Sequence, residues 1–129
     1  MVQKISQVAY QPMNDIHNNE VKVLNELLEA IENNSDIENK FNIFLDDVRN
    51  HFNFEQNLME QYNFFAKVPH KMEHDRIVNE LEEIKNSNLS NEELLQYFNQ
   101  SFIPWLENHI NTMDTVTAGY FNMVNVPTN

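Results

Sequence analysis

The scarcity of glycine strongly limits the folds open to this chain. Gly119 is the single glycine among 129 residues, and there are four prolines. Tight turns and hairpins rely on glycine for backbone angles that other residues reach only at a cost, so a β-rich fold is disfavoured. We therefore predict an all-α fold of long helices. The length suits one hydrophobic core, and we expect a single domain over residues 1–129.

Helix-start signals divide the first half of the chain in two. The first helix is predicted to run from near Asp15 to the NNS at 33–35. The second follows the sequence SDIE at 35–38, which fits a capping box, and continues to about Tyr62. The residues before the first helix, about 1–13, are expected to form an irregular arm.

Similar signals place two more helices in the second half. Pro69 suits the first turn of the third helix, which is expected to end near Asn86, and the sequence SNEE at 90–93 again fits a capping box. Pro104 lies inside the fourth helix and is expected to bend it. Because the connections are short, we predict an antiparallel up-down-up-down four-helix bundle over about 14–119, with a short C-terminal tail.

Charge and composition restrict the partners. Eight basic against twenty acidic residues give a net charge of −12, which would repel nucleic acid and anionic lipid. We find no apolar run long enough to span a membrane and no signal-peptide pattern, so we expect a soluble, cytoplasmic protein, either a monomer or a weak homo-oligomer. Since the chain has no cysteine, any metal must be held by histidine and carboxylate side chains.

Every histidine falls on the apolar, core-facing side of a predicted helix. Steps of three and four residues define these faces. In chain order they comprise His17, Val21, Leu24, Leu28 and Ile31; Phe41, Phe44, Val48, His51, Glu55, Leu58 and Tyr62; His70, His74, Ile77, Leu81 and Ile84; and Phe98, Phe102, Trp105 and His109.

Five inward histidines and a carboxylate are costly in a dry core. Each unpaired buried polar group costs roughly 1–3 kcal/mol, against a total stability of about 5–15 kcal/mol for a domain. Metal ions would remove this cost, because imidazole and carboxylate bind iron, zinc or copper. Five histidines exceed the needs of one zinc ion, whereas two metals sharing carboxylates fit the count. The alternative is a structural bundle whose histidines bind adventitious zinc.

A ferritin-like di-iron site is not indicated. Such sites use glutamate three residues before histidine. The residues in that position here are Asn14, Val48, Lys67, Lys71 and Leu106.

Three motifs resemble those of the hemerythrin family in its single-domain bacterial form. HFNFEQNLM at 51–59 is similar to the family's HFxxE segment with a following methionine, HKMEH at 70–74 matches its HxxxH, and WLENHINTMD at 105–114 matches its WLxxHIxxxD. With His17 on the first helix, the resemblance spans about residues 13–120.

The resemblance implies a non-haem di-iron site that binds dioxygen reversibly, in a binding protein rather than an enzyme. One iron would be held by His70, His74 and His109, and the other by His17 and His51. Glu55, Asp114 and an oxo or hydroxo group would bridge them, leaving an open position on the second iron. The resemblance also implies an oxygen pocket of Phe52, Met59, Trp105, Leu106 and Ile110.

Two positions test this resemblance. Asp114 is five residues after His109, about 140° around a regular α-helix, so we expect its carboxylate to approach from the flank. Glu20 occupies a position that is commonly leucine in the family. It either turns outward or coordinates the second iron and closes its open position, which would favour a di-iron redox enzyme, with oxidase or peroxidase-like activity, or an oxygen or iron sensor.

Overall fold

The computed structural model describes residues 2–129, and within that range it consists of helices with no strand. The predicted all-α, four-helix fold is confirmed. The first three helices are α1 (Gln11–Glu32), α2 (Ile37–Gln61) and α3 (Lys67–Asn86), and a fourth helix covers residues 91–123. Helix α2 packs against both α1 and α3, and the fourth helix packs against α1. This arrangement directs one face of each helix toward a shared core.

Helix α1 begins earlier than the predicted start near Asp15. Pro12 lies in its first turn, where the missing N–H has no helical partner to lose. Asn14, inside the helix, anchors the preceding arm: its side chain accepts from the Val8 N–H (2.8 Å) and donates to the Val8 carbonyl (3.0 Å). The irregular segment before α1 is therefore attached to the bundle by specific hydrogen bonds.

The two predicted capping boxes have different outcomes. The box at Ser90 is confirmed, because its hydroxyl accepts from the Glu93 N–H and the Glu93 carboxylate accepts from the Ser90 N–H. The prediction of a capping box at Ser35 is wrong. The N-cap position of α2 is occupied by Asp36, which has a φ of 58° and whose side chain forms no capping hydrogen bond. Asparagine and aspartate tolerate this left-handed backbone, so the connection turns at Asn34 and Asp36 without glycine.

The fourth helix is one continuous helix that widens twice. Its segments are α-helical Asn91–Tyr97, π-helical Phe98–Phe102, α-helical Ile103–His109, π-helical Ile110–Asp114 and α-helical Thr115–Met123. Pro104 lies in the first turn of the middle α-helical segment, directly after a π-helical turn. The π-helical turn allows a proline inside a long helix, because the regular bond that proline would break is already rearranged there.

The core divides into two apolar clusters. The large cluster includes Leu24, Leu28, Phe41, Phe44, Val48, Phe52, Ile77, Leu81, Phe98, Phe102, Leu106 and Ile110. The small cluster consists of Tyr10, Met13, Met59, Phe64, Ala118, Phe121 and Val126. Most residues of the predicted core faces are buried, but Val21, Leu58, Tyr62, Ile84 and Trp105 are half-buried.

Residues near both ends of the described range contact this core. Val2 and Val126 are buried, and the Tyr10 hydroxyl donates to the Pro127 carbonyl at 2.6 Å. None of the helices described between residues 2 and 129 combines the length and apolarity needed to cross a lipid bilayer.

Candidate metal centre

Seven polar side chains from all four helices lie together in the interior. They are His17 from α1, His51 and Glu55 from α2, His70 and His74 from α3, and His109 and Asp114 from the fourth helix. Each is at most 2% exposed. Helix periodicity predicted six of them as inward-facing, the family resemblance added Asp114, and the structure brings all seven together.

These side chains form two overlapping groups. Glu55, His70, His74, His109 and Asp114 make the larger group; His17, His51, Glu55 and Asp114 make the smaller one. In each group the atoms that could bind a metal lie within 4.8 Å of one another. The two carboxylates belong to both groups. The arrangement is therefore that of two adjacent groups that could each hold a cation and that share both carboxylates.

The facing atoms are close but poorly satisfied. Asp114 Oδ2 lies 3.1 Å from His17 Nε2, and Asp114 Oδ1 lies 3.1 Å from His70 Nε2 and 3.2 Å from His109 Nε2. Even so, seven buried inward-facing atoms of the centre form no hydrogen bond. They are Nε2 of His17, His70, His74 and His109, Oε1 of Glu55, and both carboxylate oxygens of Asp114.

Unpaired atoms of this kind are rare and costly in a protein interior. Metal ions between them would satisfy nitrogen and oxygen lone pairs at once. The donor set, imidazole nitrogen with carboxylate oxygen, suits iron, zinc or copper. The residues present thus fit a pair of such ions.

A π-helical turn places Asp114 beside His109. The expected approach from the flank is wrong, because that expectation assumed a regular α-helix. The N–H of Thr115 instead bonds to the carbonyl of Ile110, five residues earlier. Five residues then complete about one turn, so His109 and Asp114 share a face. Single π-helical turns of this kind are frequent at functional sites.

Three histidines have hydrogen-bonding partners on their outer nitrogen. His70 Nδ1 lies 2.8 Å from the Thr117 hydroxyl, which itself donates to the Met113 carbonyl. Because the hydroxyl proton is used in that bond, the Thr117 oxygen accepts from His70 Nδ1–H, which leaves Nε2 as the nitrogen that faces inward and could bind a metal. His74 Nδ1 lies 3.1 Å from the Gln56 amide.

The third such partner is Glu20. Its carboxylate accepts from His51 Nδ1–H at 2.8 Å, and the residue is 1% exposed. The outward orientation considered from the sequence is therefore wrong. Glu20 also belongs to neither group of metal-capable atoms. It lies on the outer side of His51, an arrangement that neither of the two sequence-based alternatives described.

The five residues of the expected oxygen pocket do not form one set. Phe52, Leu106 and Ile110 belong to the large apolar cluster, with Trp105 packed against it, whereas Met59 belongs to the small cluster. Two of them contact histidines directly. The ring of Phe52 is stacked on His74 with centroids 3.8 Å apart, and that of Trp105 is stacked on His109 at 4.6 Å.

Comparison with known proteins places this chain in a family. Residues 8–120 match the model of the Hemerythrin HHE cation binding domain. The chain belongs to the hemerythrin family. The chain is also 30% identical over 121 residues to the Bacteriohemerythrin of Aquifex aeolicus (strain VF5). That alignment covers 89% of this chain and 92% of the relative. No solved structure matches the chain significantly. The family resemblance inferred from the motifs is confirmed.

The buried histidines and carboxylates of the centre shift one another's pKa values. Burial opposes protonation of His17 and His70, but the adjacent carboxylates of Asp114 and Glu55 outweigh it and raise both pKa values to about 9. Burial also opposes ionisation of the two carboxylates, yet the surrounding histidines hold both pKa values below their usual range. His74 differs, because burial lowers its pKa to about 3.

Sequence reasoning missed the contacts that Gln56 and Thr117 make with the histidines. Thr117 is 47 residues from His70, and Gln56 is 18 residues from His74. Both come from a different helix than the histidine they contact, so no spacing within a helix marks them. A partner of this kind can be identified only once the helices are packed.

Proposed function

We propose that this protein binds two iron ions and uses them to bind dioxygen reversibly, for storage, delivery or scavenging. The observation that carries the proposal is the unequal sharing of histidines. The larger group has three histidines and the smaller has two, while Glu55 and Asp114 belong to both. An ion in the smaller group would have fewer protein donors and would keep a position free for a ligand. Iron supplies the reversible exchange of electrons with dioxygen that such binding requires.

The surrounding side chains would orient the donors and exclude water. Phe52 and Trp105 stack on two histidines of the larger group, and the Trp105 indole N–H donates to Glu73 at 2.7 Å, which fixes the ring. Leu106 and Ile110 are almost completely buried beside them. A dry, apolar surround limits loss of bound oxygen to solvent. Phe52 also lies beside His51 of the smaller group, with ring centroids 5.1 Å apart. We assign these four residues to the wall of the oxygen site and Met59 to the part of that wall formed by the small cluster.

The proposed role is that of a binding protein rather than an enzyme. A di-iron redox enzyme or sensor is the alternative if Glu20 coordinates iron and closes the free position. The hydrogen bond from His51 to Glu20 supports the carrier, because it occupies the carboxylate on the outer side of the ring.

An optical oxygen titration tests the proposal. The iron-loaded, reduced protein is exposed to dioxygen, and the oxygen is then removed. We expect a spectral change that reverses through several cycles. A matched sample loaded with zinc should give no change. One-way oxidation, with consumption of a reductant, would contradict reversible binding and favour the redox enzyme.

A further inference from the structure

Glu20 is a buried carboxylate bonded to one histidine of the proposed metal centre. Its Oε1 lies 2.8 Å from His51 Nδ1, and both side chains are 1% exposed. Three residues earlier on α1 is His17, whose Nδ1 has no hydrogen-bond partner. The two histidines of the smaller group therefore differ: one has an anionic partner on its outer nitrogen and the other has none.

His51 also differs from His70 and His74 in the charge of the group that its outer nitrogen contacts. The outer nitrogens of His70 and His74 face a hydroxyl and an amide, both neutral. Hydrogen bonds with an ionised partner are roughly twice as strong as neutral ones. A carboxylate on the outer nitrogen of a metal-binding imidazole fixes the ring and makes its inner nitrogen a stronger donor.

We propose that Glu20 is a positioning residue that holds His51 and strengthens its donation to the metal of the smaller group. Stronger donation favours the higher charge of an oxidised ion, so Glu20 biases that site toward its oxidised state. The inference rests on the proposed di-iron function and adds to it a way of tuning one ion independently of the other. It also assigns a purpose to a carboxylate that burial would otherwise make costly.

Three variants separate charge, hydrogen bonding and background effects. Glu20→Gln keeps the shape and an acceptor oxygen but removes the charge. Glu20→Leu removes both. Glu29→Gln makes the same change of charge at an exposed position of the same helix and serves as the control.

The first measurement is a titration of the metal-free proteins with Co²⁺. The wild type should bind two ions. We expect Glu20→Gln to weaken one of the two by roughly 10-fold, the lower end of the usual effect of removing such a partner, and to leave the other unchanged. Glu20→Leu should weaken the same ion further, and Glu29→Gln should match the wild type.

The second measurement is the midpoint potential of the iron-loaded proteins, which a purely structural role would leave unchanged. It should become more positive in Glu20→Gln and more positive still in Glu20→Leu, but not in Glu29→Gln. If the wild type binds two Co²⁺ ions and both Glu20 variants retain wild-type affinities and potentials, the role of Glu20 is overturned. Fewer than two Co²⁺ ions in the wild type would instead overturn the proposed di-iron function.

Discussion

At the scale of single residues, the two carboxylates differ from the five histidines because each of them belongs to both groups of metal-capable atoms. His17 belongs to the smaller group only, and its loss leaves the larger group complete. Removing Glu55 deprives both groups of an oxygen donor. The consequences of these two substitutions should therefore differ in kind.

We predict that His17→Ala retains one iron per chain, whereas Glu55→Ala retains neither ion firmly. The larger group keeps three histidines and two carboxylates in the first variant, but both groups are incomplete in the second. Iron per chain after anaerobic loading and gel filtration measures the difference. Two irons in both variants would contradict the assignment of these residues as ligands.

At the scale of individual helices, the serines of the two predicted capping boxes, Ser90 and Ser35, can be compared for their effect on stability. Ser90→Ala removes a bond to the Glu93 N–H and should lower the free energy of unfolding by about 1 kcal/mol. Ser35→Ala is the matched control, because that serine is exposed and does not cap α2. Its effect should stay within about 0.5 kcal/mol. Urea unfolding of the metal-free proteins measures both, and equal losses would contradict the assigned caps.

The π-helical turn at Ile110–Asp114 allows a prediction about helix register. Four residues of a regular α-helix cover about 400°, which again brings the first and last residue to one face. Deleting the exposed Asn111 should therefore convert the turn to α-helix, keep the aspartate beside His109, and preserve two metals per chain. Loss of metal, with helix content unchanged by circular dichroism, would show that the π-helical turn itself is required.

Helix faces were predictable from the sequence because they depend on local spacing alone. From that spacing alone, His51 and Glu55 on α2 and His70 and His74 on α3 were predicted to face the core. The left-handed turn at Asp36 and the two π-helical turns were not predictable in this way. A π-helical turn differs from the regular α-helix by one step of hydrogen bonding, and the left-handed Asp36 replaces the expected side-chain cap, so local spacing marks neither feature.

At the scale of the whole molecule, the candidate metal centre is a group of unpaired polar atoms in an interior that otherwise consists of two apolar clusters. Ligands that bind only the folded state raise its stability, by about 2.7 kcal/mol at 100 times the dissociation constant. For a domain of this size that corresponds to about 10 °C in melting temperature. We predict a rise of this order for each Zn²⁺ ion that the metal-free protein binds, measured by calorimetry. Glu55→Ala is the control, and an equal rise in that variant would place the bound zinc elsewhere.

The central claim is that seven side chains from four helices hold two iron ions. Its most direct test is diffraction from iron-loaded crystals at wavelengths above and below the iron absorption edge. The account predicts two anomalous peaks per chain among His17, His51, Glu55, His70, His74, His109 and Asp114. One peak should lie among the three histidines of the larger group and the other between His17 and His51. A single peak, or iron bound outside these seven side chains, would contradict it.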